Sequence, residues 1–323
     1  MSSTKESKKN FASMEAARNP SKTAPPTKTR DGFHLIPNHP ITYDIDLTQK
    51  QGFKDITLRI STSDRCARIA FNRPNVLHAF RPNTINEFRK ALEIATDDVL
   101  VSVILFASEL VEDRTPSFCA GGDQVVRSSG GGYDDGTEDV PRLRVLDLQV
   151  QMRRCPKPII AVVRGYAIGG GHILHMMCDL TIAGDDAVFG QTGPRMGSFD
   201  AGYGSVHMAR LVGQKKAREM WFTCNFYNAD DAVKMGLINA AYPKEELEGE
   251  VARWVRRISY NSPTAIACTK AALNADEDGQ AGIALMGGHL TRLFYMSEEG
   301  REGRQSYLER RAPEFHKLPS SRL

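Results

Sequence analysis

Ile159-Ile-Ala-Val-Val-Arg-Gly-Tyr-Ala-Ile-Gly-Gly-Gly-His172 is the stretch whose reading decides the fold. Five apolar residues follow Pro156-Lys-Pro158, which stops the preceding helix, and they read as a strand buried on both faces. Gly169-Gly-Gly171 then opens a helix that carries His172 to Cys178. Glycine lets backbone approach a ligand closely and adopt positive φ. A helix start adds unpaired N–H groups and a partial positive charge.

The layout recurs upstream. Val101 to Ala107 reads as a buried strand, and after a polar loop comes Cys119-Ala-Gly-Gly-Asp-Gln124, a second glycine-rich turn before a helix start. Either turn alone is equally well a plain tight turn. Two that meet would aim N–H groups at one point, an oxyanion hole for a thioester oxygen gaining charge.

Outward from these turns, Ile56 to Ile60 alternates as a strand and Ala67 to Phe71 as its hairpin partner. Thr84 is the expected N-cap of a helix running to Ala95, with Glu87 three residues on. Leu143 to Arg154 reads as an amphipathic helix, and Leu180–Ala183 and Val188-Phe189 as short strands. After Gly204 the pattern is helical almost throughout: 206–211, 215–223, 229–235, 244–258, 263–273 and 279–294. Strand-and-helix units followed by helices predict a mixed α/β core with a helical C-terminal region. The expected division is a flexible tail over 1–52, a core over 53–258 and a helical region over 259–323. The tail assignment rests on a Lys-, Ser-, Thr- and Pro-rich stretch without apolar periodicity.

With 323 residues, 41% hydrophobic and 25% charged, the chain can bury a sizeable core. A net charge of +3 is too small to argue for nucleic acid, and no apolar run approaches the roughly 18 residues that span a membrane. No apolar segment near Met1 suggests secretion. Six cysteines lie singly, without metal spacing, and are expected as free thiols. His172 and His175 share a helix face without a third ligand in view and are expected to be structural.

Phe118-Cys-Ala-Gly-Gly-Asp123 and Gly165-Tyr-Ala-Ile-Gly-Gly-Gly171, followed by Met176-Met-Cys-Asp179, resemble the crotonase (enoyl-CoA hydratase/isomerase) superfamily from about Phe53 to Phe315. The resemblance implies a spiral of ββα units, assembly as trimers or hexamers, and Gly122 and Gly170 as the two oxyanion donors. Hydratases of that family carry one glutamate two residues after the triple glycine and another two residues after the Gln of Phe189-Gly-Gln191. Here those places hold Ile173 and Gly193, so paired-acid hydration is not expected.

The naphthoate synthase (1,4-dihydroxy-2-naphthoyl-CoA synthase) branch is resembled more closely. The matching segments include Gly121-Gly-Asp-Gln124, Phe189-Gly-Gln-Thr-Gly-Pro194, Gly197-Ser-Phe-Asp200, Val212-Gly-Gln-Lys-Lys-Ala-Arg-Glu219 and Phe294-Tyr-Met296. This implies a carbon–carbon lyase of menaquinone or phylloquinone biosynthesis that closes a ring in 2-succinylbenzoyl-CoA. Gln191, Thr192 and Trp221 match positions that hold bicarbonate, with Gly193 leaving it room. Ser198 and Asp200 match positions at the aromatic end of the substrate, and Tyr133 and Tyr295 match tyrosines whose hydroxyls support the enolate and the attacked carboxyl. Locally, Asp200 is also a common turn residue, and Trp221 and Tyr295 sit where core residues pack.

The CoA thioester is expected along Ala120, Gly121, Asp123 and Gln124 and along Tyr166, Ala167, Ile168 and Gly169, with Arg127 and Arg310 as cations near the phosphates. Leu77 and Val125 stand where relatives carry basic residues, which predicts a weaker grip on CoA. Ser321-Arg-Leu323 resembles the Ser-Lys-Leu peroxisomal address and implies an import receptor as partner. Alternatives are a family reaction on a different acyl-CoA and a non-catalytic acyl-CoA- or RNA-binding relative.

Overall fold

The computed structural model describes residues 36–127, 133, 143–199 and 202–318. In chain order the elements are β1 (Ile45–Asp46), α1 (Thr48–Gln51), β2 (Ile56–Ser61), β3 (Cys66–Phe71), α2 (Pro82–Asp97), β4 (Val103–Ser108), β5 (Ser117–Cys119), α3 (Val145–Arg154), β6 (Ile159–Val163), β7 (Tyr166–Ile168) and α4 (Gly170–Met176). They continue with β8 (Leu180–Gly184), β9 (Val188–Gly190), α5 (Gly204–Thr223), β10 (Phe226–Asn228), α6 (Ala229–Lys234), β11 (Ala240–Tyr242), α7 (Leu247–Ser259), α8 (Pro263–Asp278), α9 (Gln280–Tyr295) and α10 (Glu298–Glu309).

Two sheets form. One has seven strands in the order β1-β2-β3-β4-β6-β8-β11, and the other has four in the order β10-β9-β7-β5. The pairs β4/β5, β6/β7 and β8/β9 each place their first strand in the large sheet and their second in the small one. A helix follows each pair, α3, α4 and α5 in turn. This is the expected α/β spiral of ββα units. Continuous apolar runs such as Ile159–Val163 pair in parallel on both sides, with β4 and β8, and are buried throughout. The β2–β3 hairpin is antiparallel as read from its alternation. Between sheet and helix, Phe71, Phe88, Phe106 and Phe118 pack in tilted and edge-to-face pairs with centroids 4.3 to 5.6 Å apart.

Two expectations are corrected. The chain folds before Phe53: Ile45–Asp46 adds an edge strand to β2, and Thr48 takes the Leu58 amide on its hydroxyl at 3.0 Å. Two exposed residues paired on one side leave no apolar pattern to read there. Thr84 is not the N-cap of α2. Arg81 is, and Thr84 sits at the third helical position, accepting the Arg81 amide at 3.2 Å and donating to Asp55 at 2.6 Å. Glu87 instead takes the amides of Lys54 and Asp55. The expected helices 206–211 and 215–223 are both present within α5, separated as read by a kink at Gly213, whose φ of +79° breaks the helical dihedrals between them. The C-terminal address lies outside the described residues.

Candidate active site

The strands β5, β7 and β9 lie side by side and parallel, so their C-terminal ends open at one edge of the small sheet. Side by side in this way, parallel strands gather their following loops into one crevice. The turn after β5 carries Gly121 and Gly122, the turn after β7 carries Gly169 and Gly170, and the turn after β9 carries Gln191, Thr192 and Gly193. Local sequence chooses the glycines, and sheet register brings them together.

The first two turns touch through backbone. A Cβ on Gly121, itself at φ +88°, would stand 3.2 Å from the Gly170 nitrogen, and one on Gly171 would land on the Cys119 carbonyl. Neither Gly122 nor Gly170 donates its N–H within the described residues. For Gly170 the cause is its place as first residue of α4. For Gly122 it is the pairing on either side: Ala120 donates to Leu77, Asp123 donates to Phe80, and Phe80 donates to Gly121. The expected helix start after the first turn is absent, since Gln124–Val126 form a turn and Arg127 pairs with Tyr133. The Gly122 donor is therefore held by strand-like pairing and not by a helix terminus.

These turns open on a cavity of about 310 Å³. Tyr133 hangs over it with its hydroxyl directly above the Gly122 Cα, where any Cβ would collide with it. Burial raises the phenol above its ordinary range, against a lowering by Gln124, so it remains an O–H donor at neutral pH. Gln191 is 1% exposed, with one long 3.4 Å contact from its amide nitrogen to Gly169. Trp221 comes in from α5, and its indole nitrogen is buried without a hydrogen-bond partner among the described residues. Space beside Gly193 is tighter than its lack of a side chain suggests. A Cβ there would stand 3.1 Å from the Trp221 ring and 3.2 Å from the Ser198 carbonyl.

Ala120, Gln124, Ile168 and Ser198 also face the cavity, while Asp200 lies outside the described residues. The lining of described residues contains no Asp, Glu, Lys, Arg or His. Ile173 and Gly193 are both in it, at the two positions where a carboxylate would have faced the glycines.

Other expected residues sit elsewhere. Asp123 is buried against the Arg73 guanidinium at 2.9 Å and holds its own turn together. Arg127 directs its guanidinium to the carbonyls of Met196 at 3.1 Å and Gly197 at 3.0 Å, which closes the rim. Tyr166 and Ala167 are the first two residues of β7, and neither lines the cavity. Tyr295 is 71% exposed at the end of α9, and Arg310 caps α10; neither lines the cavity. His172 and His175 are fully buried and bonded to one another at 3.1 Å, a structural pair as expected.

Sequence reasoning passed over Phe80, Leu143, Met196 and Phe199, all of which line the cavity. For Phe80 the signal was present in Ala79-Phe-Arg-Pro82, and for Phe199 in its place beside Ser198. Phe199 is 84% exposed at the mouth.

The Enoyl-CoA hydratase/isomerase family model matches residues 61–318. An enoyl-CoA hydratase subunit I from Geobacillus kaustophilus HTA426 is 28% identical, with 81% of this chain and 98% of that one covered and a TM-score of 0.63. An enoyl-CoA hydratase from Mycobacterium smegmatis is also 28% identical, with coverages of 81% and 99% and a TM-score of 0.63. One from Bacillus anthracis, at 23% identity with coverages of 80% and 98% and a TM-score of 0.63, shares the fold. With its ββα spiral, its paired glycine turns and a match over most of its length, the chain belongs to the enoyl-CoA hydratase/isomerase (crotonase) family.

Proposed function

We propose that this enzyme is a 1,4-dihydroxy-2-naphthoyl-CoA synthase, closing a ring in 2-succinylbenzoyl-CoA by intramolecular Claisen (Dieckmann-type) condensation. One observation carries the reading: two free glycine amides face a cavity whose described lining holds no ionisable side chain except Tyr133. Such a site stabilises an enolate but lacks the two carboxylates that would add water.

In the reaction a proton leaves the carbon alpha to the thioester, and the charge moves to the thioester oxygen. The Gly122 and Gly170 amides donate to that oxygen, more strongly as charge grows. The α carbon bonds to the aromatic carboxyl carbon, one oxygen of that carboxyl leaves as water with the abstracted proton and the carboxyl's own, and two protons shift from ring carbons to the two ring oxygens, which makes the new ring aromatic. Tyr133 donates its hydroxyl to the developing oxyanion, and the Phe80, Leu143 and Phe199 side chains exclude water around the aromatic end. The donors Gln191, Thr192 and the Trp221 indole N–H are neutral and suit a small anion, and the indole N–H has no partner among the described residues. Bicarbonate held there would supply a base that the described lining lacks.

The chain acts as a homo-oligomer in this proposal, a trimer or hexamer. α9 supports it: Ile283, Leu290, Phe294 and Tyr295 are all at least half exposed. Tyr295 would then serve from such an interface. Import into the peroxisome through Ser321-Arg-Leu323 belongs to the same proposal. A family reaction on another acyl-CoA is the second reading, favoured by Val125, 94% exposed where relatives carry a cation.

The test is turnover of 2-succinylbenzoyl-CoA with and without bicarbonate, followed by product absorbance. Bicarbonate-dependent ring closure is expected. Crotonyl-CoA hydration at ordinary rates, without ring closure, refutes the reading.

A further inference from the structure

The Gly122 amide is free because residues 77–80 take up the polar groups on both sides of it, so whatever shapes that segment aims the donor. Leu77 and His78 shape it, at φ +50° and +58°. Among the described residues they are the only adjacent non-glycine pair in the left-handed region. The conformation is imposed by closure of the turn on Arg73. His78 donates its amide to the Arg73 carbonyl at 2.9 Å, and Arg73 returns its own amide to His78 Nδ1 at 3.0 Å.

This clasp works from both ends of the Arg73 residue. The guanidinium bonds the Ala79 carbonyl and, at 2.9 Å, the Asp123 carboxylate just past Gly122. On the turn's outer side the Leu77 carbonyl takes the Ala120 amide at 3.1 Å and the Ser117 hydroxyl at 2.9 Å. Gly122 thus hangs between two anchored neighbours, and both anchors lead back to Arg73 and His78.

We propose that His78, acting with Arg73, is a positioning residue for the Gly122 oxyanion donor: its ring nitrogen locks the left-handed turn on which that donor is built. His78 does not line the cavity, so it acts through Gly122 alone. The requirement is two-fold, tolerance of positive φ and an acceptor two bonds beyond Cβ. Asparagine meets both, because its short amide tolerates the left-handed region and its Oδ1 occupies the Nδ1 position. Leucine offers no acceptor, and its bulk suits the left-handed region less well.

The inference rests on the reading of Gly122 and Gly170 as the oxyanion pair, and its test needs no ring closure. Acetoacetyl-CoA offers an enolate oxygen without turnover, and CoA itself reports the remainder of the binding surface. Binding of both probes is measured in wild type, His78→Asn and His78→Leu. Expected is a loss of about tenfold in acetoacetyl-CoA affinity for His78→Leu, a fraction of what deleting an oxyanion donor costs. CoA affinity stays within about twofold, and His78→Asn keeps the wild-type preference within about threefold.

Equal weakening of both probes in His78→Leu, or a His78→Asn variant no better than His78→Leu, overturns the proposal. Should His78→Leu fail to fold, Asp123→Asn relaxes the same clasp from the far side and carries the same selective expectation. A wild type that prefers acetoacetyl-CoA but closes no ring would refute the proposed synthase reaction and leave this inference standing. One with no preference for acetoacetyl-CoA refutes the oxyanion hole and this inference with it.

Discussion

Trp221→Phe should separate function from stability. The indole nitrogen is buried and has no hydrogen-bond partner among the described residues, which give it no internal hydrogen bond. Leaving such a group unpaired costs about 1–3 kcal/mol. Phenylalanine removes that cost and also gives up part of the ring packing against Gly193, a loss of about 1–3 kcal/mol for a partial truncation. The two offset, and unfolding stability should change by no more than about 1 kcal/mol. Toward an anion the balance is one-sided. A hydrogen bond to a charged acceptor contributes about 1.5–3 kcal/mol, so the bicarbonate concentration for half-maximal ring closure should rise about 10- to 150-fold. The assay is initial rate against added bicarbonate in carbon dioxide-free buffer, beside urea unfolding of the same samples. An unchanged bicarbonate response sinks the assignment of Trp221. A stability loss above about 3 kcal/mol would mean that the indole packs as an ordinary core residue.

Gly171→Ala places a methyl on the Cys119 carbonyl and must push β5 from α4, separating the two oxyanion turns; a fall of about 100-fold in kcat with KM little changed is expected from steady-state kinetics. Tyr133→Phe should lower kcat by about tenfold or more without moving the thermal midpoint, because the hydroxyl's one hydrogen-bond contact among the described residues, with Gln124, is long at 3.4 Å. Acid should destabilise the fold through its buried histidines. Burial pushes His78 down to about 4 and His172 down to about 3; Glu109 opposes the shift at His78 and Arg73 adds to it. Above the unfolded value near 6.5 both states are neutral and stability is complete. As pH falls below it, only the unfolded chain takes up protons, so each histidine costs about 2 kcal/mol by pH 5. The urea midpoint should drop between pH 7 and pH 5, and by less in His78→Asn; a midpoint independent of pH contradicts the burial argument.

Strand identities were legible wherever burial was two-sided, because a continuous apolar run such as Ile159–Val163 has few other folds available to it. The β1 edge strand was not, since two exposed residues paired on one side carry no pattern. Thr84 misled for a related reason: its hydroxyl does help to cap α2, but from inside the first turn, and which residue leads depends on Asp55 and Arg81 arriving from other elements. At the site, the glycine pair and the missing glutamates were readable as residue types. The engagement of Arg127 with two carbonyls and the distance of Tyr295 from the cavity were not, because each depends on where a distant loop or helix comes to rest.

The sequence by itself determined the chemistry on offer: glycines where backbone must face a ligand, isoleucine and glycine where acids would be, and a tyrosine and a tryptophan with one polar atom each. These follow from side-chain type and need no coordinates. Tertiary structure alone decided that the turns after β5, β7 and β9 share one edge and that the Gly122 amide stays free. It alone decided too that the Trp221 ring closes over Gly193. Sheet order is settled by pairing between strands far apart in the chain, and a hydrogen-bond donor is free or taken according to neighbours that no local pattern names.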